Sequence, residues 1–446
     1  MSVTLLAALL AQAVSVTLLR HRLGRHWLRH PVTLVVLAGV VYQGVSPALL
    51  TIPSIGAWDN FRIGIQPGYA DDAALLTSSA MLAFTVAYLA ARPERAISVV
   101  DPAGIRAAAT VLGWRWLAAA CVPLAALTYA GRGYNTSGGI GAASSVGTDL
   151  AASFFVLAVA LAASGFLLRH GTRWFLPVLI TQSAVLAATG QRSPVIAAGI
   201  ILILLPALAG VRPSRRQLCA AAAIGLVASL AITGLRAQQG RSLFYADSGI
   251  GARLAALGDG LANFGGPSAA GPATPGLLTQ TVTRTDGTSF AAGILQSVHT
   301  GQPRLGPAGV MESALIVVPS LAWSSKLAST TLNPYDLEIT DFGLQPVNFL
   351  PTLPGLYAGY LSPPWLLVFL AFLGLLCGLG ERRLFRCRCT PARLVFLAGA
   401  VTAALTYEAG LPAMLVELRA AAVIAGAVKV IEVARRPAPA RIPYWK

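Results

Sequence analysis

The sequence predicts an all-α, multi-pass (polytopic) membrane protein, and three observations support this fold class. Hydrophobic residues make up 55% of the 446 residues and charged residues only 11%. A soluble domain carries about 25% charged residues, so this chain has too few charges to cover its own surface in water. Apolar runs recur at the length of roughly 20 residues that a helix needs to cross a bilayer. Basic residues fall in short clusters between these runs, which is typical of membrane topology.

The apolar runs predict about eleven transmembrane helices in a single domain that covers residues 1–446. A twelfth span, or a re-entrant half-helix, is the alternative for the short apolar stretch 313–323. The first nineteen residues contain no Lys or Arg, so we expect a retained first helix rather than a cleaved signal peptide. The predicted spans are, in chain order, 2–19, 32–50, 73–91, 111–130, 150–168, 174–190, 194–211, 217–235, 363–380, 393–409 and 412–431.

The distribution of arginine predicts how these helices are oriented. The short loops of one alternating set hold only Arg62, Arg132 and Arg192, whereas the other set and the C-terminal tail are rich in Arg. By the positive-inside rule the arginine-rich set faces the cytoplasm, which places the N-terminus outside and the C-terminus inside. The net charge of +16 is therefore a topology signal, and no nucleic-acid partner is expected.

The stretch 236–362 is predicted to form one large extracytoplasmic loop. It is rich in Gly, Pro, Thr and Ser, and only 289–298 has the pattern of an amphipathic helix. Loops of this length are usually functional or disordered. Most carboxylates of the chain, Glu408 among them, also fall on the predicted outer side. This bias either equips the outer face for chemistry or reflects only that loops are polar.

Three arginines on the outer side form a candidate anion site. Arg192 precedes Ser193-Pro194, a cap and first residue that can start a helix whose N-terminus binds anions. Arg236 and Arg241 follow the eighth predicted helix, and paired guanidinium groups suit a diphosphate. The alternative is that these arginines meet lipid headgroups or anchor helix ends. Their position against the positive-inside bias favours binding.

The loop also offers candidate general bases. His299 is the only histidine on the predicted outer face, and a histidine can take a proton from a sugar hydroxyl near neutral pH. Asp336, Glu338 and Asp341 form an acidic group that suits a base or an electrostatic partner in glycosyl transfer. A surface histidine and a solvated acidic turn are the alternatives. Tyr357 lies in an aromatic run that suits either sugar stacking or an interfacial belt.

Further cationic candidates lie after His299 and in the last predicted helix. Arg304 lies in a Pro- and Gly-rich stretch of the loop. Arg419 and Glu417 lie inside the last helix, where charged groups usually face the bundle interior and mark a functional path. Their spacing of two residues puts them on different faces, and a structural interhelical pair with other residues is the alternative. The sequence contains no P-loop, no H-E-x-x-H motif and no Asp-x-Asp pair in the outer loops, so no metal or cofactor is expected.

Three segments resemble the O-antigen polymerase, or oligosaccharide repeat unit polymerase, family (Wzy-type). These segments are the turn 188–192, the stretch 233–236 with Arg241, and a series formed by Gly309, 319–323, Lys326 and 349–360. Family members often have a Pro-x-x-x-Trp-x-x-Lys stretch followed by Gly-Glu-x-Tyr-x-x-x-Gly. Here Gly355-Leu356-Tyr357 lacks the Glu, so any role of that carboxylate is lost or falls to another residue.

The resemblance implies a GT-C-like or Wzy-like helical bundle in the bacterial inner membrane that performs metal-independent glycosyl transfer on its outer face. The donor would be a glycan on undecaprenyl diphosphate, and the acceptor a second lipid-linked repeat unit. Partners would be chain-length regulator or flippase proteins. Arginines fixed at the departing diphosphate would lower the barrier electrostatically. The implied substrate-binding residues are Arg192, Arg236, Arg241, Arg304, Lys326, Tyr357 and Arg419, and the implied base is His299, Asp336, Glu338 or Asp341.

Two other functions stay open at the level of sequence. An O-antigen-ligase-type enzyme moves a finished glycan to a different acceptor, and the sequence barely separates it from a polymerase. A transporter or flippase of lipid-linked sugars is a different class, and it predicts internal repeats and broken helices at mid-membrane. No repeat of fixed period is visible, which disfavours transport.

Overall fold

The computed structural model describes residues 2–56, 64–93, 219, 282–283, 285–315, 317–318, 341–344, 351–386 and 390–434. Within these ranges the chain forms helices and turns and contains no strand, so the prediction of a helical protein is confirmed for them. The spans predicted between 111 and 235 fall outside the described residues, Cys219 excepted.

Ten α-helices are described, and short 3₁₀ or π turns connect several of them. A π turn, Val40–Val45, joins the second helix to the third, so that Pro31–Leu50 forms one continuous helical segment. The bounds are α1 Val3–Leu23, α2 Pro31–Gly39, α3 Ser46–Leu50, α4 Pro53–Gly56, α5 Pro67–Ala90, α6 Ser289–His299, α7 Ala308–Leu315, α8 Pro363–Arg386, α9 Pro391–Leu405 and α10 Gly410–Ala434.

Local sequence signals explain where several helices begin. The side chain of Ser2 caps α1 by accepting a hydrogen bond of 3.1 Å from the backbone N–H of Leu5. A proline is in the first turn of α2, α5 and α9, where its missing N–H costs no hydrogen bond. Because Pro67 starts α5, this helix begins six residues before the span predicted at 73–91.

In the described part of the chain, four helical segments are long and apolar enough to cross a membrane. They are Val3–Arg29, Pro31–Leu50, Pro67–Ala90 and Pro363–Phe385. They match four of the predicted spans and make the chain compatible with a multi-pass membrane protein. The stretches 393–409 and 412–431 correspond to α9 and α10, which form a hairpin. The amphipathic pattern at 289–298 corresponds to α6.

Helix α5 lies at the centre of the described bundle, where it packs against α1, α6 and α8. Close approach of α8 depends on two glycines spaced four residues apart. A Cβ on Gly374 would lie 2.1 Å from the carbonyl oxygen of Phe84, and one on Gly378 would lie 2.6 Å from that of Tyr88. Small residues at this spacing let two membrane helices bring their backbones together.

Most of the described arginines, Arg304 and Arg419 excepted, gather at one end of this bundle, which we call the basic end. The C-terminal ends of α1, α5 and α8 meet there with the start of α2, since His30, Tyr88 and Glu381 are in contact. The guanidinium of Arg382 also donates to the carbonyl oxygen of Ala91. The arginines at this end are Arg20, Arg22, Arg25, Arg29, Arg92, Arg382, Arg383 and Arg393.

The opposite end of the bundle contains the described parts of the long predicted loop. There the amide side chain of Gln296 in α6 hydrogen-bonds to the backbone at Gln66 and Gly64, just before α5. Four segments from distant parts of the chain meet in the middle of the bundle, where Gly39 lies beside Met81 of α5 and Gly44 lies beside Gln12 of α1.

Candidate functional site

The four segments form a junction that we call the polar junction, made of residues 40–46, 285–289, 351–356 and 406–410. Two backbone hydrogen bonds hold it together. The N–H of Gly287 donates to the carbonyl oxygen of Tyr42 at 2.9 Å, and the N–H of Thr352 donates to that of Glu408 at 3.0 Å. The π turn in the first segment is itself a local signal, because such turns inside helices occur frequently at functional sites.

A carboxylate held by a phenol is the main chemical feature of the junction. The Tyr42 hydroxyl donates to Glu408 Oε2 at 2.7 Å, and both residues are partly exposed. The Tyr42 ring also lies near that of Tyr407, with ring centroids 6.0 Å apart. This arrangement fixes one carboxylate oxygen while the group stays within reach of a ligand.

Thr352 has a strained backbone at the centre of the junction. Its φ of 54° is in the left-handed region, which is a clear outlier for a β-branched residue. The hydroxyl of Thr352 accepts hydrogen bonds from Gln43 Nε2 at 3.4 Å and from the N–H of Gly355 at 3.3 Å. Strain of this kind costs about 1–3 kcal/mol and clusters at active sites and ligand clamps.

Within the described residues, two neighbouring buried polar atoms of the junction have no hydrogen bond of good geometry. They are Gln43 Oε1 and the Tyr407 hydroxyl, on residues that are 0% and 1% exposed. Both lie beside Gly39, since a Cβ there would be 3.3 Å from the Tyr407 hydroxyl and 3.4 Å from Gln43 Oε1. Unsatisfied buried polar atoms are rare in native structures and call for an explanation such as a catalytic role or a bound polar group.

Asp286 also lies in the junction, but its oxygens are used within the chain. Oδ1 accepts from the N–H of Thr288 at 3.0 Å and from its hydroxyl at 2.6 Å, while Oδ2 accepts from the hydroxyl of Ser289. The carboxylate therefore satisfies donors at the start of α6. Asp286 is 3% exposed, and its contacts stabilise the part of the junction that leads into α6.

Together the junction presents a carboxylate, two phenols, an amide and a hydroxyl. Glu408 forms no ion pair within the described part of the chain. Hydrogen-bonding groups of this kind, with aromatic rings beside them, suit a hydroxyl-rich neutral ligand. Among the described residues, no group of three or more His, Cys, Asp or Glu side chains is arranged to hold a metal ion.

Two of the predicted general bases, His299 and Asp341, are among the residues that the structure describes, and both lie apart from the carboxylate–phenol pair. His299 ends α6, is exposed, and stacks at a tilt on Tyr69 with ring centroids 5.7 Å apart. Asp341 is exposed, and its neighbour Phe342 is tied to α6 by a hydrogen bond of 2.9 Å from the Ser297 hydroxyl to its carbonyl oxygen. The last turn of α6 thus brings the His299 and Asp341 segments together, and their catalytic roles stay predictions.

Arg304 and Tyr357 lie in the packing around the segment 351–362. Arg304 is half-buried and donates through Nη1 to the carbonyl oxygens of Ala358 and Leu361, the latter at 3.0 Å. Burial lowers the pKa of this guanidinium from its ordinary value. Tyr357 is fully buried, with its ring packed edge-on to that of Phe369 at 4.9 Å. Substrate binding by either residue stays a prediction.

Gly309 packs directly on Tyr360, so two parts of the series that carries the family resemblance are in contact. A Cβ on Gly309 would overlap the Tyr360 ring, at 1.9 Å from Cε1. The N–H of Leu305 also donates to the carbonyl oxygen of Gly359 at 3.0 Å. The stretch 304–309 therefore lies against 358–361.

Arg419 lies in α10, where its Nη1 donates to the carbonyl oxygen of Val317 at 3.1 Å. This bond links the last helix to the stretch after α7. Arg419 and Glu417 are both partly buried. The other predicted site residues, which lie outside the described residues, are Arg192, Arg236, Arg241, Lys326, Asp336 and Glu338.

Sequence reasoning missed most of the polar junction. Tyr42 and Gln43 lie inside an apolar run and carry no local sign of a site, while Glu408 was only one of many outer carboxylates. A usable signal was the break Thr406-Tyr407-Glu408-Ala409-Gly410 between two apolar runs, where a carboxylate follows a tyrosine at a helix end. The partners of Glu408 come from positions far away in the chain.

No protein-family model, curated protein or solved structure matches the chain.

Proposed function

We propose that the chain is a membrane glycosyltransferase that polymerises oligosaccharide repeat units linked to undecaprenyl diphosphate on the outer face of the bacterial inner membrane. In this proposal the basic end faces the cytoplasm and the opposite end, where α6 meets the start of α5, faces outward. The arginine distribution supports that orientation, because cytoplasmic loops are enriched in Lys and Arg.

One observation carries the proposal. The segment 351–360, which bears part of the resemblance to the Wzy-type family, contacts Glu408 through the backbone at Thr352. A carboxylate–phenol pair and two buried polar atoms of the junction lie beside it. Groups of these types can bind and deprotonate a sugar hydroxyl.

The proposed reaction divides the work between two kinds of residues. Arg192, Arg236 and Arg241 are proposed to bind the donor diphosphate, where fixed positive charge stabilises the leaving group. The polar junction is proposed to bind the acceptor sugar. The surrounding apolar helices hold the polyprenyl tails, and closure of the long loop over the sugars would exclude water.

The decisive experiment uses the purified full-length protein in lipid nanodiscs with a lipid-linked oligosaccharide, and the products are sized on a gel. Longer lipid-linked products support the polymerase. Transfer of the glycan to a different acceptor identifies a ligase, and unaltered substrate with both acceptors contradicts glycosyl transfer and revives transport.

The arginine role has its own test. We expect Arg236→Ala to shorten the polymer and to slow the reaction by about 100-fold, the usual effect of losing one donor that stabilises developing charge. The matched control is Arg383→Ala, which removes an exposed arginine at the basic end. Polymer of unchanged length from Arg236→Ala, at equal protein level, would contradict the diphosphate site.

A further inference from the structure

We infer that Glu408 is the general base of the proposed transfer, with Tyr42 positioning its carboxylate against a hydroxyl of the acceptor sugar. The inference rests on the proposed function and replaces the bases expected from sequence with a residue between α9 and α10.

Hydrogen bonding distinguishes Glu408 from Asp286, the other carboxylate of the polar junction. Its Oε2 accepts from the Tyr42 hydroxyl at 2.7 Å, and its Oε1 has no hydrogen-bond partner in the described part of the chain. The two oxygens of Asp286 are occupied by Thr288 and Ser289. Glu408 therefore combines a fixed orientation with a free oxygen, which is the geometry that a general base needs.

Exposure separates Glu408 from His299 and Asp341. Those two residues are exposed, whereas Glu408 is partly buried in the junction. A base that takes a proton from a sugar hydroxyl works best where water is largely excluded and the acceptor oxygen is held at hydrogen-bond distance. An exposed side chain at the end of α6 meets neither condition in the observed arrangement.

The buried polar atoms point independently to a ligand. Within the described residues, Oε1 of the 0%-exposed Gln43 has no hydrogen bond of good geometry, although Nε2 of the same amide is bonded to Thr352. The buried Tyr407 hydroxyl is its neighbour and lacks one as well. An acceptor and a hydroxyl at this position match the donor and acceptor capacity of a second sugar hydroxyl or of a water molecule that it holds.

Charge selects the acceptor rather than the donor diphosphate. Glu408 forms no ion pair within the described residues, so its negative charge would repel a diphosphate placed beside it. A neutral, hydroxylated ring meets no such penalty. The site therefore fits the non-reducing end of a neutral part of the acceptor glycan.

The step balances without a further reactant. The acceptor hydroxyl oxygen forms a bond to the anomeric carbon of the donor sugar as the bond from that carbon to the diphosphate oxygen breaks. The electron pair of the broken bond leaves with the diphosphate, and the hydroxyl proton moves to Glu408 Oε1. Solvent then takes this proton and restores the carboxylate.

The test compares Glu408→Gln, Glu408→Asp and Tyr42→Phe with wild type in the nanodisc assay. General base catalysis is typically worth about 100- to 10,000-fold, so we expect Glu408→Gln to lower kcat by about 100-fold or more. KM for the donor should change by less than about threefold, because the proposal assigns the diphosphate to Arg192, Arg236 and Arg241. Glu408→Asp should keep part of the activity. Tyr42→Phe should lower kcat by about tenfold, because it removes the one hydrogen bond that positions the Glu408 carboxylate.

A further readout separates catalysis from folding. Acceptor oligosaccharide should also protect Glu408 from carbodiimide modification, measured by mass spectrometry on the wild-type protein. The matched control is Glu432→Gln, a carboxylate in α10 that pairs with Lys429.

The outcomes distinguish the two levels of the proposal. If wild type extends the glycan and Glu408→Gln keeps a rate within about threefold, another residue is the base and the proposed function stands. If wild type makes no longer product, the proposed function and the role of Glu408 fail together. If Glu408→Gln does not fold, carbodiimide protection and Tyr42→Phe decide, and no protection with an unchanged Tyr42→Phe rate overturns the inference.

Discussion

Removal of the Glu381 side chain should strongly destabilise the bundle, because this carboxylate connects three helices. Oε1 accepts from the N–H of Val32 at 3.2 Å, which caps the start of α2. Oε2 lies 3.0 Å from Nδ1 of His30 and 2.5 Å from the hydroxyl of Tyr88. Glu381 is 7% exposed and both of its partners' side chains are fully buried, so water cannot replace the lost bonds.

The magnitude follows from the three hydrogen bonds to Glu381 that Glu381→Ala removes; the Tyr88 hydroxyl and His30 Nδ1, which lie 3.1 Å apart, can still bond to each other. Hydrogen bonds between side chains in membrane proteins average about 0.6 kcal/mol, which sets a lower bound near 2 kcal/mol for three bonds. A buried donor left without a partner costs about 1–3 kcal/mol, so the Val32 N–H together with the other lost bonds sets an upper range near 4 kcal/mol. We therefore expect a loss of about 2–4 kcal/mol in the free energy of unfolding. Tyr88→Phe removes one donor and should cost about 1 kcal/mol.

The assay is unfolding of the detergent-solubilised protein by sodium dodecyl sulfate, followed by circular dichroism. Glu432→Ala serves as the control, because its pair with the partly exposed Lys429 should contribute less than about 1 kcal/mol. Equal stability of Glu381→Ala and Glu432→Ala would refute the reasoning. It would mean that the three hydrogen bonds at the basic end add nothing to the interhelical packing.

Two further predictions concern glycines that meet other groups closely. Gly374→Ala should destabilise the α5–α8 contact by at least about 2 kcal/mol, since the new methyl would overlap the backbone of Phe84. The control Gly380→Ala has open space and should be neutral or slightly stabilising. Thermal unfolding in detergent measures both variants, and equal effects would contradict the close helix approach. Gly309→Ala should loosen the segment around Tyr360 and increase cleavage of that segment by protease. Adding Tyr360→Ala to the same chain should reverse the change. If protease cleavage is unaltered in Gly309→Ala alone, the contact with Tyr360 is not supported.

Sequence patterns predicted features that depend on nearby residues. The helices at Pro31, Pro67 and Pro391 begin where proline and an apolar run mark a start, and the amphipathic pattern at 289–298 forms α6. The predicted 363–380 span ended one residue too early to include Glu381, because a charged residue reads as the end of an apolar run. In the structure α8 continues through it to Arg386.

The sites themselves depend on residues far apart in the chain, which explains why sequence reasoning did not find them. Glu408 is 366 positions from Tyr42, and Glu381 is 351 from His30. No spacing rule for a single helix or turn connects such pairs, since helix rules reach only three or four residues. The desolvation that keeps Glu381 paired, and the strain that Thr352 tolerates, are set by neighbours that only the folded chain supplies.

A comparison of the two carboxylates shows why one is assigned to stability and the other to chemistry. Each accepts a hydrogen bond from a tyrosine, but Glu381 uses both oxygens for three donors, whereas Glu408 uses only Oε2 for one. A buried carboxylate with both oxygens bonded holds helices together, whereas one with an unused oxygen beside a strained residue retains capacity for a ligand. Tyr88→Phe should therefore lower stability and leave turnover per folded molecule unchanged, and Tyr42→Phe should do the reverse. A stability loss from Tyr42→Phe as large as that from Tyr88→Phe, with turnover intact, would make Glu408 a structural acceptor like Glu381.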